Sequence, residues 1–324
     1  MFCWHKLGRV FGPADFPVDG WMKEYVQSPS VLVSDERLRV YFCSRPAPTA
    51  SGQYLSYLSF IDLDRRDPTK IVGVCEQPAL ALGSFGAFDE FGTNPVSVIQ
   101  HGQDIRVYYA GWTRCESVPF NAAIGVAVSR NGGDTFERIG AGPVLSYDPD
   151  EPFLLGSPRI RKFGDIWHLW YVAGRRWLDT DGKPEPVYKI RMASSADGLN
   201  WSKHGTDLIA DLLGEDECQA CPDVTLRDGR YHMFYSYRHA RNYKNAEGGY
   251  RIGYAVSDDL RNWQRRDDQS GVGVSATGWD AQMVSYPHVF EMDGLSYMLY
   301  QGNEMGRSGI GLARLKDEAA WSAT

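Results

Sequence analysis

Short apolar strands separated by polar turns recur along this chain. Five segments begin with a polar turn and continue into a run of aromatic and β-branched residues: DERLRVYFCSR, GQDIRVYYAGW, FGDIWHLWYVAGR, RDGRYHMFYSYR and MDGLSYMLYQGN. Each is followed by a segment, such as AAIGVAVSR or YRIGYAVSD, in which small and apolar residues alternate with others at a period of two. This alternation predicts β-strands joined by hairpins, with almost no helix.

An X-Pro step that leads into a β-branched residue precedes each of these segments. The five prolines are Pro29, Pro95, Pro158, Pro222 and Pro287, so the intervals between them are 66, 63, 64 and 65 residues. A period this regular indicates an internal structural repeat. Turns rich in Ser, Asp and Gly that end on an aromatic residue, such as SSADGLNW and SDDLRNW, announce a fourth strand in the unit.

Five units of four strands predict an all-β fold, a five-bladed β-propeller with four-stranded antiparallel blades around a central funnel. We expect one domain over residues 1–324, with repeats that start near residues 28, 94, 157, 221 and 286. A β-sandwich is the alternative, but nothing in a sandwich requires a period near 64. The first strand of each blade lines the channel, so the residues before the prolines should form a ring at one funnel: Ser28, Asn94, Ser157, Cys221 and Tyr286.

Composition and charge limit the kinds of partner that the sequence predicts. The net charge is −7 and no basic run stands out, so the sequence predicts neither a nucleic-acid partner nor a membrane-surface partner. The chain starts without a secretory pattern, lacks an apolar run of about 20 residues, and scatters its six cysteines without a disulfide framework, so we expect a cytoplasmic protein. Cys218 and Cys221 form a lone CxxC pair, which gives no metal signature, and we expect no cofactor.

The order of the motifs resembles the five-bladed glycoside hydrolase and phosphorylase superfamily, which includes arabinanase/xylosidase-like, invertase-like and mannoside-phosphorylase-like families. QSPSVL is similar to the Asp-Pro-Ser-Val step of the first blade, GSPRI to an Asp-Pro-Arg-Ile step, and SSADGLNW to the recurring Ser-x-Asp-Gly-x-x-Trp turn. The hydrolases carry acids in the ring, whereas this chain has Ser28, Asn94 and Ser157 there. The resemblance therefore implies the fold and a sugar substrate but transfers no catalytic residue.

Other acids are candidates for catalysis. Glu24, Glu90 and Glu217 each stand five residues before a repeat proline, and Asp223 directly follows one. Acids around the funnel could transfer protons, with Glu217 or Asp223 as the acid and Glu24 or Glu90 as the base. The alternative is that the three glutamates are solvated loop acids and that Asp223 is a satisfied core group.

Candidate substrate-binding residues stand at the predicted ends of the second strands and in the ring. Arginine suits the capture of carboxylate or phosphate, and tryptophan suits stacking on a sugar. The alternative is that the arginines pair with the nearby glutamates. The candidates are Arg45, Trp112, Arg175, Arg238, His239, Tyr286 and His288.

These residues favour a carbohydrate-active enzyme that cleaves or transfers a glycosidic bond of a small, anionic sugar conjugate. A phosphorylase would need no nucleophilic carboxylate and would tolerate the missing ring acids. A non-catalytic sugar-binding propeller is the alternative. Unrelated chemistry at Cys221, His239 or His288 is a third hypothesis, which no triad spacing supports.

Overall fold

The computed structural model describes residues 1–16, 20–50 and 52–322. It contains five separate four-stranded antiparallel sheets, as the sequence predicted for a five-bladed propeller. Strand β1 (Trp4–Phe11) belongs to the last blade. Blade one consists of β2 (Glu24–Val33), β3 (Arg37–Arg45), β4 (Tyr57–Asp64) and β5 (Ile71–Val74). Blade two consists of β6 (Thr93–His101), β7 (Asp104–Thr113), β8 (Asn121–Ser129) and β9 (Glu137–Arg138).

Blades three to five follow the same plan. They are β10 (Leu155–Phe163), β11 (Ile166–Asp179), β12 (Pro184–Ser195), β13 (Ser202–Lys203); β14 (Glu217–Arg227), β15 (Arg230–His239), β16 (Arg251–Ser257), β17 (Gln264–Arg265); and β18 (Ser285–Met292), β19 (Leu295–Gln301), β20 (Ile310–Leu315) with β1. The described helical segments are single turns at Pro13–Asp15, Asp267–Gln269, Asn303–Gly306 and Glu318–Trp321.

The ring of blades is closed by a sheet that contains strands from both ends of the chain. Strand β1 pairs antiparallel with β20, from Trp4 opposite Leu315 to Phe11 opposite Ile310. The N-terminal segment is therefore the outermost strand of the fifth blade. Closure of this kind leaves only short sheet edges exposed.

Each X-Pro step forms a β-bulge in an innermost strand. The register shifts there in all five blades, for example between Gln27 and Ser30 and between Ala220 and Asp223. Four of the residues before the prolines have left-handed backbone: φ is +59° at Ser28, +48° at Ser157, +44° at Cys221 and +54° at Tyr286. The bulge interrupts the ladder, which resumes on the other side of the X-Pro step, and bends the strand there.

Below the bulges, side chains join one innermost strand to the next around the ring. Ser30 accepts a hydrogen bond from the Val98 N–H at 3.0 Å, and Ser97 accepts one from Ile160 at 3.1 Å. Asp223 accepts one from Val289. These bonds satisfy channel-facing N–H groups that no neighbouring strand pairs, which explains the small or polar residues after the prolines.

Aromatic residues fill the space between blades. Phe136, before the outermost strand of blade two, packs edge-on against Tyr41 of blade one with centroids 5.7 Å apart, and Trp201 packs against Tyr108 in the same way at 6.1 Å. The Tyr41 hydroxyl donates to the Gly133 carbonyl at 3.0 Å, where a Cβ would meet the hydroxyl oxygen at 1.9 Å. These turn aromatics therefore fill the gaps between adjacent blades.

A buried acid fastens the outermost strand in four of the blades. Each acid comes from the segment before, or the first residue of, the innermost strand, and is at most 2% exposed. We call these acid–cation pairs the blade latches. They are Asp89 with Arg138 (2.7 Å), Glu151 with Lys203 (2.7 Å), Glu217 with Arg265 (2.7 Å) and Asp280 with Lys6 (2.6 Å).

Candidate functional site

The two ends of the propeller differ in their connections. At one end the first two strands of every blade are joined by tight turns, at the predicted residues 35–36, 102–103, 164–165, 228–229 and 293–294. At the other end the connections are long, and the hairpin β11–β12 continues well past the sheet. Long loops on a rigid scaffold are where binding groups concentrate, so the second end is the mouth of the candidate funnel.

Arg45, at the end of β3, lies at this mouth without an ion pair. Its guanidinium lies between two aromatic faces, 4.8 Å from the Tyr25 centroid and 5.3 Å from the Tyr54 centroid. Nε is buried and has no acceptor, and no carboxylate lies within 4 Å in the described ranges. Burial lowers the pKa of this guanidinium. A buried cation in this state favours the arrival of an anion.

Arg238, at the end of β15, is a second cation without an acid. It is 4% exposed, and its guanidinium lies 3.5 Å from the centroid of Tyr243. It donates to the carbonyl of His239 at 2.8 Å and to the hydroxyl of Tyr188 at 3.1 Å, while Nε has no acceptor in the described chain. Carbonyls and π faces thus hold this charge, and an anion would complete its coordination.

Tyrosines connect Arg238 to the bulge ring. The hydroxyls of Tyr188 and Tyr250 are 2.7 Å apart, and the Tyr250 ring packs edge-on against Tyr286 at 5.6 Å. The backbone N–H of Tyr286 donates to Ser236 at 2.7 Å. Two further ring members meet where Cys221 Sγ lies 3.5 Å from Ser157 Oγ. The predicted ring therefore presents hydroxyls and a thiol, and burial raises the pKa of Cys221 to about 11, so the thiol is protonated at neutral pH.

Asp223 and His288 lie in the channel below the ring, inside a saturated cluster. Asp223 is 1% exposed, lies 2.5 Å from Arg161 Nη2 and 3.4 Å from Arg159 Nε, and accepts the Val289 N–H. Burial alone would raise its pKa, but the two arginines hold it well below the usual range. This environment keeps the carboxylate ionised and occupied, which favours a structural role over that of a proton donor.

His288 belongs to the same cluster. Its Nδ1 is 3.3 Å from Asp223 and 2.8 Å from Arg159 Nη1, while Nε2 accepts the Val31 N–H at 3.0 Å. Burial lowers its pKa to about 4. The residue is a neutral blade-to-blade acceptor rather than a group directed to the mouth.

The three glutamates that share a repeat position in the sequence do not converge. Glu217 is fully buried in its blade latch, where it also accepts the N–H groups of Leu212 and Leu213 at 2.8 Å. Burial would raise the pKa of Glu217, but hydrogen bonds from Gln219 and Arg265 lower it. The expectation that Glu217 lies at the funnel rim, or else in solvent, is corrected: its carboxylate faces the outermost strand.

The other two glutamates are partly exposed. Glu90 accepts the N–H of Gly86 at 3.0 Å, within the connection between blades one and two. Glu24 lies at the mouth, opposite Arg45 in the strand pairing, and accepts from Arg307 at 2.5 Å and from the Tyr54 hydroxyl at 3.0 Å. Of the four acids proposed from the sequence, Glu24 has the contacts that place it beside the unpaired Arg45.

The remaining predicted binding residues lie in different places and do not form one site. Trp112 lines a cavity beside Arg45, as described below. Arg175 points away from that cavity towards Asp207, 3.7 Å distant. His239 is exposed and lines a different polar pocket with Asp216 and Arg241.

Three mouth residues were missed by the sequence analysis: Glu185, Tyr243 and Arg114. Glu185, on the β11–β12 hairpin, accepts the Tyr243 hydroxyl with both oxygens at 3.1 Å, and so orients the ring that covers Arg238. Arg114 lines the cavity beside Arg45. All three lie outside the repeated positions, and an unusually long hairpin after GRRWLD was the available signal for the first of them.

Two features are absent from the described residues. Within residues 1–16, 20–50 and 52–322, no cluster of three or more His, Cys, Asp or Glu has the geometry of a metal site. In the same ranges, no helix has both the length and the apolar character that crossing a bilayer needs.

Known proteins with similar sequence or structure share this architecture. No protein-family model matches the chain. The uncharacterized protein Rv1502 of Mycobacterium tuberculosis (strain H37Rv) is 34% identical over 316 residues, which cover 97% of this chain and 99% of that protein. The 1,2-β-oligomannan phosphorylase of Thermoanaerobacter sp. (strain X514) is 28% identical over 200 residues, 60% of this chain and 58% of the phosphorylase.

Among solved structures, one from the GH130 family of mannoside phosphorylases, a family that contains glycoside hydrolases targeting β-1,2 mannosidic linkages in Candida mannan, matches with a TM-score of 0.69 and 14% identity. The match covers 97% of this chain and 94% of that one. This likeness shows the fold. The chain therefore belongs to the family of the uncharacterized M. tuberculosis protein Rv1502 and has the five-bladed propeller fold of the glycoside hydrolase and mannoside phosphorylase superfamily.

Proposed function

We propose that this protein is a carbohydrate-active enzyme that cleaves or transfers the glycosidic bond of a small, anionic sugar conjugate at the propeller mouth. The observation that carries the proposal is the state of the partly buried Arg45 and the buried Arg238, which lack carboxylate partners in the described chain. The other buried arginines there, Arg39, Arg159 and Arg191, each have one. An anionic group on the substrate would supply the missing charge.

The mouth offers a set of roles for the reaction. Arg45 and Arg238 would each attract an anionic group of the substrate, and Trp112 would stack on a ring of it. Glu24 would act as the predicted base, because it lies beside Arg45, pairs as a carboxylate with Arg307 and has a side chain that is 27% exposed. Glu185 would keep Tyr243 over Arg238 and so acts as a positioning residue.

The absence of carboxylates from positions 28, 94 and 157 favours phosphate over a protein nucleophile. In this form of the reaction a phosphate oxygen attacks the anomeric carbon, the glycosidic carbon–oxygen bond breaks, and the leaving oxygen takes the proton that Glu24 accepts from the phosphate. The partial likeness to an oligomannan phosphorylase supports this form.

A second candidate is a non-catalytic sugar-binding propeller. It is favoured by the same three ring positions, because Ser28, Asn94 and Ser157 cannot replace ring carboxylates in hydrolysis.

Turnover separates the two candidates. The full chain would be incubated with a panel of oligosaccharides and sugar phosphates, with and without inorganic phosphate, and the products identified. We expect products, and a fall in turnover of about 10²–10⁴-fold for Glu24→Gln, which keeps shape and removes titration. Glu36→Gln, at the opposite end of the propeller, is the matched control. Binding without products for every compound would select the non-catalytic candidate.

A further inference from the structure

A cavity of about 480 Å³ opens between blades one and two at the mouth. Residues from the ends of β3, β6 and β7 and from the two following loops line it. The side chains that matter here are those of Arg45, Tyr54, Asn94, Trp112, Arg114 and Phe120. A volume in this range suits an organic ligand of moderate size.

Two guanidinium groups give the cavity its charge. Arg45 is held by aromatic faces alone and leaves Nε without an acceptor. Arg114 donates to the Tyr54 carbonyl at 3.2 Å and stacks on Phe91 with its guanidinium 4.0 Å from the ring centroid. Neither has a carboxylate within 4 Å among residues 1–16, 20–50 and 52–322. Arginine presents a planar set of donors that matches a phosphate group.

Aromatic side chains give the cavity a second property. Trp112 and Phe120 are partly exposed there, and each is already fixed on its far side: Trp112 by Phe91 at 5.9 Å, and Phe120 by Trp177 at 5.6 Å. Immobilised rings bind planar or sugar rings with a small loss of side-chain entropy. Inorganic phosphate would use the arginines but leave these rings without a partner.

We propose that this cavity binds an organic phosphate ester, with the phosphate at Arg45 and Arg114 and the attached ring against Trp112. The site is the seat of the phosphorylated part of the substrate, and in that sense the proposal rests on the proposed function. The source is a sugar phosphate or a nucleotide sugar, both of which present a phosphate next to a ring.

The test is isothermal titration of the full chain with five probes: α-glucose 1-phosphate, α-mannose 1-phosphate, UDP-glucose, inorganic phosphate and methyl α-mannoside. We expect at least one ester to bind at least tenfold more tightly than inorganic phosphate, because only the esters carry a ring that can stack on Trp112. UDP-glucose as the tightest ligand would identify a nucleotide sugar, and a monophosphate as the tightest would identify a sugar phosphate.

Variants locate the ester in the cavity. Arg114→Gln and Trp112→Leu should each weaken the ester by about 10-fold or more, while only Arg114→Gln should weaken inorganic phosphate. Arg130→Gln, the same change at a 68% exposed side chain, should alter neither. Unchanged ester affinity in both variants, inorganic phosphate binding as tightly as every ester, or no binding by any ester would overturn the inference. Turnover of a neutral glycoside together with any of these results would leave the glycosidic activity standing, because that activity is judged on products, but it would remove the anionic substrate.

Discussion

Two pairs of arginines, each with one buried and one partly buried member, lie at two depths of the same propeller and are in opposite electrostatic states. Arg159 and Arg161 lie inside the channel, where both reach Asp223. Arg45 and Arg238 lie at the mouth, where aromatic faces and backbone carbonyls surround them and no acid in the described ranges pairs with them. The amino acid is the same in both places, so the difference lies in whether the chain supplies the counter-charge.

This difference separates stability from binding. An arginine whose counter-charge comes from within the fold has little affinity left for an anionic ligand. A buried cation without a partner lowers the free energy of unfolding, and it binds an incoming anion more favourably. We therefore assign the channel cluster to the joining of blades three, four and five, and the mouth arginines to the substrate. Each prediction below tests one side of that contrast.

The largest effect is expected from the channel acid. Asp223→Asn leaves Arg159 and Arg161 buried without a counter-charge, and removing one partner of a buried pair costs about 3–5 kcal/mol. Urea unfolding monitored by tryptophan fluorescence measures the loss, with Asp35→Asn in an exposed turn as the control. A loss below about 1 kcal/mol would place Asp223 outside the structural cluster.

Stability should also depend on pH through His288. Its pKa is about 4 in the folded protein, against the usual 6.5, in surroundings formed by Asp223, Arg159 and Arg161. The unfolded chain therefore binds more protons below pH 6.5, so this contribution is complete above pH 6.5 and is lost as the pH falls towards 4. The loss is on the order of 3 kcal/mol. The lowered pKa of Asp223 protects that carboxylate until the pH falls below its ordinary titration range.

His288→Gln isolates this term. Glutamine can still accept the Val31 N–H but does not titrate, so the unfolding free energy of this variant should fall less steeply between pH 6.5 and 4. His232, whose pKa burial also lowers to about 4, remains in both proteins and accounts for the rest of the slope. Identical pH profiles would show that His288 does not titrate on unfolding.

Replacement of Glu217 should have an intermediate effect on stability, and it tests the contrast at an acid instead of at an arginine. Glu217→Gln keeps the shape but weakens the blade latch to Arg265, so we expect a stability loss of about 1–3 kcal/mol with turnover within twofold of wild type. Thermal unfolding and product formation, measured on the same sample, check both parts. A fall in turnover of 10²-fold with unchanged stability would instead restore Glu217 as a proton-transfer group.

The smallest stability effect is expected at the mouth. Arg45→Met removes a cation that has no acid partner and keeps much of the side-chain volume, so stability should change by less than about 1 kcal/mol. Arg161→Met, the matched change in the channel, should cost several times more because it strips Asp223 of its shortest ion pair. Equal losses in the two variants would remove the distinction between the two pairs of arginines.

The repeat in the sequence predicted the fold because the same physical demand recurs in every blade. Pro29 and its four counterparts each interrupt ladder pairing at a bulge in a strand that lines the channel, so the proline recurs in the sequence at a fixed spacing. The second-strand aromatics and the turn aromatics Phe136 and Trp201 recur for a similar reason, since every gap between sheets has to be filled.

The site was harder to predict from the sequence than the fold, because it depends on the direction in which each side chain points. Glu24 and Glu217 share a repeat position, yet one faces Arg307 at the mouth and the other faces Arg265 on an outermost strand. A bulge shifts the alternation by one residue, so spacing alone does not tell which face a neighbouring side chain occupies. Arg114 and Glu185 lie in loops that differ from blade to blade, where no repeat can point to them.

A crystal structure of the full chain soaked with a sugar 1-phosphate, α-mannose 1-phosphate as the first choice, would test the central claim most directly. The contrast between the channel and the mouth predicts that the phosphate lies within hydrogen-bonding distance of the Arg45 guanidinium, with the Asp223 cluster unchanged. A phosphate bound at Arg159 or Arg161 in place of Asp223, or a ligand at the mouth whose phosphate contacts neither Arg45 nor Arg238, would contradict it.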